Sequence, residues 1–143
     1  MDISKFEFCE LKEERELDSF TIYVYTLPMM AIEKIRAICQ QMDEYEHRPY
    51  SKPRARDFYD IHAIVTAGNI DLAAFENIDL LKSIFAAKDV PLSLLSKVKQ
   101  TKDFHATDWP AVMQTVSGDL KPFDFYFDFV AEIAMKLESL GVK

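Results

Sequence analysis

The chain has 143 residues, 49% of them hydrophobic, with 24 acidic against 17 basic side chains and a formal net charge of −7. That length and apolar content suit one packed domain and exclude a disordered chain. Its three glycines are too few for glycine-rich phosphate loops or for an all-β design full of tight turns. The acidic balance opposes polyanion binding by the surface as a whole, since neutralised phosphates supply most of such affinity, and leaves room only for a local basic patch.

In chain order, Lys5 to Leu11 interleaves Phe6, Phe8 and Leu11 with charges and is expected as a half-buried strand. Glu13, Glu14, Arg15 and Glu16 read as a polar connection. Phe20 to Tyr25, rich in β-branched and aromatic residues, is the strongest strand pattern in the chain. Thr26 is placed to cap a helix with Pro28 in its first turn. Ala31, Ile32, Ile35, Ile38, Cys39 and Met42 then share one helical face.

A polar, proline-bearing loop follows over residues 43–53. A second helix opens at Pro53, runs to about Ala67 and stops at Gly68-Asn69, with Phe58, Ile61, His62 and Val65 on its apolar face. The tetrapeptide Asn-Ile-Asp-Leu occurs at 69–72 and again at 77–80, and both Asp71 and Asp79 read as helix caps. A helix through Leu81 and Phe85 ends near Lys88, and Pro91 opens a short one through Val98. Lys97 to Asp108 is polar. Thr107 is placed to cap a helix carrying Trp109, Val112, Met113 and Val116.

The last helix extends from about Pro122 to Gly141. Asp124, Asp128, Glu132 and Lys136 recur every four residues and leave one narrow polar stripe, with Phe123, Tyr126, Phe127, Val130 and Ile133 among the residues covering the rest. A helix so nearly apolar all round is either central to the bundle or docked on another chain.

Cys9 and Cys39, with no secretory signal, are expected as reduced thiols in a cytoplasmic protein, and they are too few for a zinc framework. His47, His62 and His105 show no ligand spacing, so no metal site is expected. His62 reads as a satisfied core histidine. No apolar run approaches the ~20 residues of a membrane span.

Ala31-Ile-Glu-Lys-Ile-Arg-Ala37 followed by Arg56-Asp-Phe-Tyr-Asp60 resembles two linked motifs of the AbiEii/AbiGii nucleotidyltransferase toxin family. These are Glu-Lys-x-x-Ala on a helix after a strand, then Arg-Asp-x-x-Asp opening the next helix. The resemblance implies an α+β, predominantly α fold. Residues 1–25 would be a β-hairpin or two-strand remnant of a nucleotidyltransferase sheet, and residues 26–143 a bundle of about five to six helices. It also implies transfer of a nucleoside monophosphate from a nucleoside triphosphate to RNA (transfer RNA in some members) or protein. Mg²⁺ would serve the complete enzyme, and a cognate antitoxin would be a partner.

The family's Gly-Ser and Asp-x-Asp signature, which grips the triphosphate and holds the metal, is absent, since the glycines are followed by Asn69, Asp119 and Val142. The expectation is therefore a truncated or split toxin. It would bind no cofactor and be inactive alone, and a complementary nucleotidyltransferase half would have to complete it. The alternative is a non-catalytic helical module that binds a partner protein or a second copy of itself through the final helix and the strand edge.

By resemblance, Lys34 and Asp57 are the catalytic candidates and pair with each other, with Arg56, Asp60 and Asp2 in support. Read from the residues alone, Lys34 is a lysine snorkelling at a core margin. Asp57 is a first-turn aspartate complementing the helix dipole. Arg56 and Asp60 form an i, i+4 ion pair. Arg48, Lys52, Arg54 and Arg56, with Tyr45 and Tyr50 interleaved, form the one basic cluster suited to an RNA backbone or a stacked base. Lys97, Lys99, Lys102 and His105 form a weaker second patch.

Overall fold

The computed structural model describes residues 13–17, 20–24, 26–45, 47, 50–116 and 118–141. Strands β1 (Glu13–Leu17) and β2 (Phe20–Val24) pair antiparallel, Glu13 opposite Val24 and Leu17 opposite Phe20, as a two-stranded unit. Everything regular from Leu27 onward is helical.

The elements are α1 (Leu27–Cys39), α2 (Ala55–Ala67), α3 (Phe75–Ala87), a 3-10 segment (Leu92–Gln100), α4 (Lys102–Ala106), α5 (Trp109–Thr115) and α6 (Phe123–Gly141). The α+β expectation is thereby corrected. The fold is helical, with seven helical segments among the described residues instead of five to six. Among the described residues the expected remnant of a nucleotidyltransferase sheet is not found. The one pairing described is local and recruits Glu13–Leu17, which the sequence marks as a connection, while the expected first strand at Lys5–Leu11 lies outside the described residues. The physical reason is one of area, because two strands alone bury too little to form a layer. The core is drawn from the helices.

Local chemistry explains most helix limits. Thr26 is the N-cap of α1, its Oγ1 accepting the Met29 N–H at 3.3 Å. Helix α2 ends in a reversal in which the Ile70 N–H reaches back to the Val65 carbonyl at 3.0 Å and Asn69 takes the left-handed conformation, φ 49°. Gly68 serves space there rather than conformation, since a Cβ at that position would meet Ile70 and Leu27 at 2.9–3.0 Å. Helix α3 closes in the same way at Asp89, φ 55°, with Val90 donating to the Phe85 carbonyl at 2.9 Å.

Neither Asp71 nor Asp79 caps a helix. The cap of α3 is Ala74, and Asp79 lies inside the helix. Asp71 instead builds the preceding turn, accepting the Ala73 N–H at 3.0 Å. Thr107 does not cap α5 either, because Asp108 occupies that position.

Helix α6 is the centre of the bundle. It packs on the 3-10 segment, α2, α3 and α4, and it buries Phe123, Tyr126, Phe127, Val130, Ala134 and Leu137. Its polar stripe faces outward, and Lys102 of α4 meets Asp124 at 3.7 Å. Helix α1 lies against α2, α3 and the 3-10 segment with Met29, Ile32, Ile35 and Ile38 fully buried. Cys39 is also fully buried, and burial raises its thiol pKa above the ordinary value, which makes it a packing residue.

The connection from α1 to α2 is fastened at three places. The Tyr45 hydroxyl donates to the Lys88 carbonyl at 2.9 Å, the Lys52 N–H to Gln41 Oε1 at 3.0 Å, and the Arg54 N–H to His105 Nδ1 at 3.0 Å. No helix among the described residues is long and apolar enough to cross a membrane.

Candidate functional site

Where α1 meets the first two turns of α2, the chain assembles a set of opposite charges. Lys34 sits on the edge of the apolar face of α1, and its Nζ lies 3.3 Å from Asp57 Oδ1 and 3.3 Å from Asp60 Oδ2. The other Asp57 oxygen is taken by Arg54 Nε. The other Asp60 oxygen accepts from Arg56 Nε at 3.2 Å, and Arg56 reaches on to Thr115 Oγ1 at 3.1 Å.

Asp57 is 6% exposed. A carboxylate withdrawn that far from water persists only where cations and donors replace its hydration, and here Lys34 and Arg54 do so from two elements. Lys34 itself remains half-buried and open to solvent on one side.

His105, at the end of α4, completes the assembly. Helix α2 starts at Arg54 with no side-chain cap, which would leave the Arg54 N–H orphaned, and His105 Nδ1 accepts it. An accepting Nδ1 requires the neutral tautomer with its hydrogen on Nε2. Burial is the main reason the His105 pKa falls to about 4; the Asp57 carboxylate opposes the shift and the Arg54 cation reinforces it. The ring packs on Phe58 and Phe104 at 5.1 and 5.0 Å. Its Nε2 is buried without a hydrogen-bond partner among the described residues.

Two depressions adjoin this assembly. A shallow one of about 200 Å³ is rimmed by Lys52, Arg54, Arg56, Asp57 and Asp108. A deeper one of about 260 Å³ is lined by Gln41, Ser51, Gln100, Thr101, Phe104 and His105. Consecutive residues Ser51 and Lys52 thus serve different depressions.

Of the residues singled out in the sequence, Lys34, Asp57, Asp60, Arg56 and Arg54 come together in one network, and Lys52 stands on its rim. Asp2 and Arg48 lie outside the described residues. The second basic patch does not form as a unit. Lys97 pairs with Glu44 at 3.3 Å, Lys102 turns to α6, and His105 is buried and neutral.

His62 is half-buried, not enclosed. It stacks edge-on against Phe129 at 4.7 Å, and burial lowers its pKa. Sequence reasoning missed His105 as the anchor of α2, and no local signal in the polar stretch 97–108 marks it. It also passed over Arg36, which is 5% exposed with Nε and Nη1 lacking partners among the described residues.

The donor set does not suit a divalent cation. Both oxygens of Asp57 and both of Asp60 are engaged by Lys34, Arg54 and Arg56, and the described residues contain no cluster of three metal-binding side chains.

Compared with known proteins, the chain matches the model of the family described as nucleotidyl transferase AbiEii toxin, type IV TA system, over residues 2–129. Neither curated proteins nor solved structures give a match.

Proposed function

The chain belongs to the AbiEii nucleotidyl transferase toxin family of type IV toxin–antitoxin systems, and from that premise we propose that its helical bundle presents Lys34 and Asp57 to a nucleotidyl-transfer site completed by residues not found in this sequence. The supporting observation is the placement of Lys34 Nζ, 3.3 Å from each of two carboxylates and still open to solvent. The pair holds the ammonium at one point on the α1–α2 seam, where it is positioned to meet a phosphate oxygen. Asp57, fixed by Arg54 from the other side, positions Lys34 and ties α2 to the seam.

In the reaction an acceptor hydroxyl of RNA or protein attacks the α-phosphorus of a nucleoside triphosphate. The bond to the bridging oxygen breaks and pyrophosphate leaves. These 143 residues contain no Gly-Ser turn to let backbone approach the triphosphate and no Asp-x-Asp pair. The site's own aspartates are committed to cations. By itself the chain is therefore inactive in transfer, and an antitoxin is the regulatory partner that the family suggests.

A non-catalytic module docking through the final helix has less support. Phe123, Tyr126 and Phe127 of that helix are spent on the chain's own core.

The purified chain incubated with each α-labelled nucleoside triphosphate and total transfer RNA is expected to incorporate no label. Adding a polypeptide that carries a Gly-Ser and Asp-x-Asp segment of this family restores incorporation, and Lys34→Ala abolishes it again. Incorporation by the chain alone, or restored activity indifferent to Lys34→Ala, overturns the proposal.

A further inference from the structure

The deeper cavity, between the 3-10 segment with α4 and the connection after α1, has no role in the transfer reading. We propose that it is a binding site for a single nucleobase, carried by a free nucleoside or by an unpaired position in a strand. Its volume, about 260 Å³, admits a planar heterocycle and part of its sugar.

The lining has the two kinds of surface that a base needs. Phe104 contributes an aromatic ring that is 39% exposed, and Met42 a polarisable thioether. A base has two π-faces, and stacking on such a ring supplies affinity for any of the four. Around these stand groups that match a base edge in both donor and acceptor character, namely Gln100, Thr101 and Ser51. Asp43 and Glu44 supply carboxylates able to accept from exocyclic amino groups. Lys97 is held at the wall by Glu44 at 3.3 Å, which cancels its charge and leaves the cavity unattractive to a bare phosphate.

His105 completes the wall. It lines this cavity and is almost fully buried, with Nε2 enclosed and without a hydrogen-bond partner among the described residues, so what it adds to the wall is the surface of a neutral ring. A base also fits the neutral ring better than an anion or a cation does, since His105 brings no charge to the wall.

The site is already built in the free chain. Gln41 is fixed by its bonds to the Ala37 carbonyl and the Lys52 N–H, and the Thr101 hydroxyl by the Val98 carbonyl. Ser51 then leads directly to Lys52 on the basic rim of the neighbouring depression, so a strand with one base in the cavity runs its backbone toward cations.

The test is titration of the full 143-residue ¹⁵N-labelled chain with adenosine, guanosine, cytidine and uridine, with single-stranded tetraribonucleotides, and with ribose 5-phosphate. No triphosphate is present, so failure here leaves the transfer reading standing. Nucleosides are expected to shift the Gln100, Thr101 and Phe104 amides with affinity on the order of 1 mM, and tetranucleotides to bind more tightly than nucleosides. Ribose 5-phosphate is expected to leave those amides in place.

Phe104→Ala weakens binding about tenfold, within the range of one lost stacking contact. Gln100→Ala, at an exposed position, weakens it severalfold and serves if Phe104→Ala fails to fold. Met113→Ala, an exposed apolar change outside the cavity, has no effect. Equal binding of nucleosides by wild type and both cavity variants overturns the assignment. So does binding of ribose 5-phosphate as tight as that of nucleosides, or no binding at all.

Discussion

Helix α2 divides two regions that are held together by different forces. Toward α6 it presents Phe58, whose ring stacks on Phe127 at 5.2 Å and meets Phe123 edge-on at 5.5 Å, all within the apolar core. Toward α1 it presents Asp57 and Asp60, locked to Lys34, Arg54 and Arg56. Adjacent residues, Asp57 and Phe58, thus belong to opposite regimes. The aromatic side gains from removing area from water and depends little on exact atomic placement. The charged side gains little net free energy, because desolvation offsets attraction, but it fixes which side chain sits where. Stability belongs mainly to the first region and positional precision to the second.

The sharpest way to break this contrast is Phe58→Ala. Emptying a fully buried aromatic position should cost about 3–5 kcal/mol in urea or thermal unfolding, more than any single change in the charge network. A smaller loss for Phe58→Ala than for Asp57→Asn would reverse the assignment.

The next largest effect comes from pH. His105 has its pKa lowered from 6.5 to about 4. Above the upper value the ring is neutral in both folded and unfolded chains and contributes no pH dependence. Between the two values the unfolded chain binds a proton that the folded chain excludes. Stability therefore falls as pH falls through that window, and the loss is complete below about 4. The expected loss is roughly 3 kcal/mol. His105→Asn, whose amide oxygen can still accept the Arg54 N–H, should show a shallower decline in the same titration.

Asp57→Asn should then cost about 1–2 kcal/mol, reduced from the value for a fully buried pair because Lys34 and Arg54 keep access to water. Arg56→Ala should cost only a few tenths of a kcal/mol, as expected for an exposed i, i+4 pair. Together the two variants separate the inner ion pairs from the outer one.

Legibility in the sequence followed the same division. Apolar spacing placed the buried face of α1, the C-terminal end of α2 and almost the whole of α6, because helix periodicity and the residues at Thr26, Gly68 and Asn69 are local signals; α2 itself begins at Ala55, two residues after the expected Pro53. The polar stretch 97–108 showed no such pattern, and there the chain makes α4 and brings His105 under α2, a contact across 51 positions. Asp71 and Asp79 look alike in their repeated tetrapeptide but do different work, which only the turn before α3 decides. At the site, Lys34, Asp57, Arg56 and Asp60 could be singled out by motif and spacing. That Asp57 is nearly buried, that Lys34 is shared between two carboxylates, and that Arg54 turns inward are products of tertiary packing. The α+β expectation failed because it came from likeness to a larger fold, and two short strands carry no layer of their own.

The tethers across the α1–α2 connection have a thermodynamic consequence. Tyr45, Lys52 and Arg54, tied to the end of α3 by a phenol, to the end of α1 by an amide and to α4 by an imidazole, have already given up much of their conformational freedom during folding. A guest arriving beside them meets a wall that needs little further ordering, so association there should show a small entropic penalty in calorimetry, and amides such as those of Lys52 and Arg54 should exchange slowly with deuterium even before any guest is added.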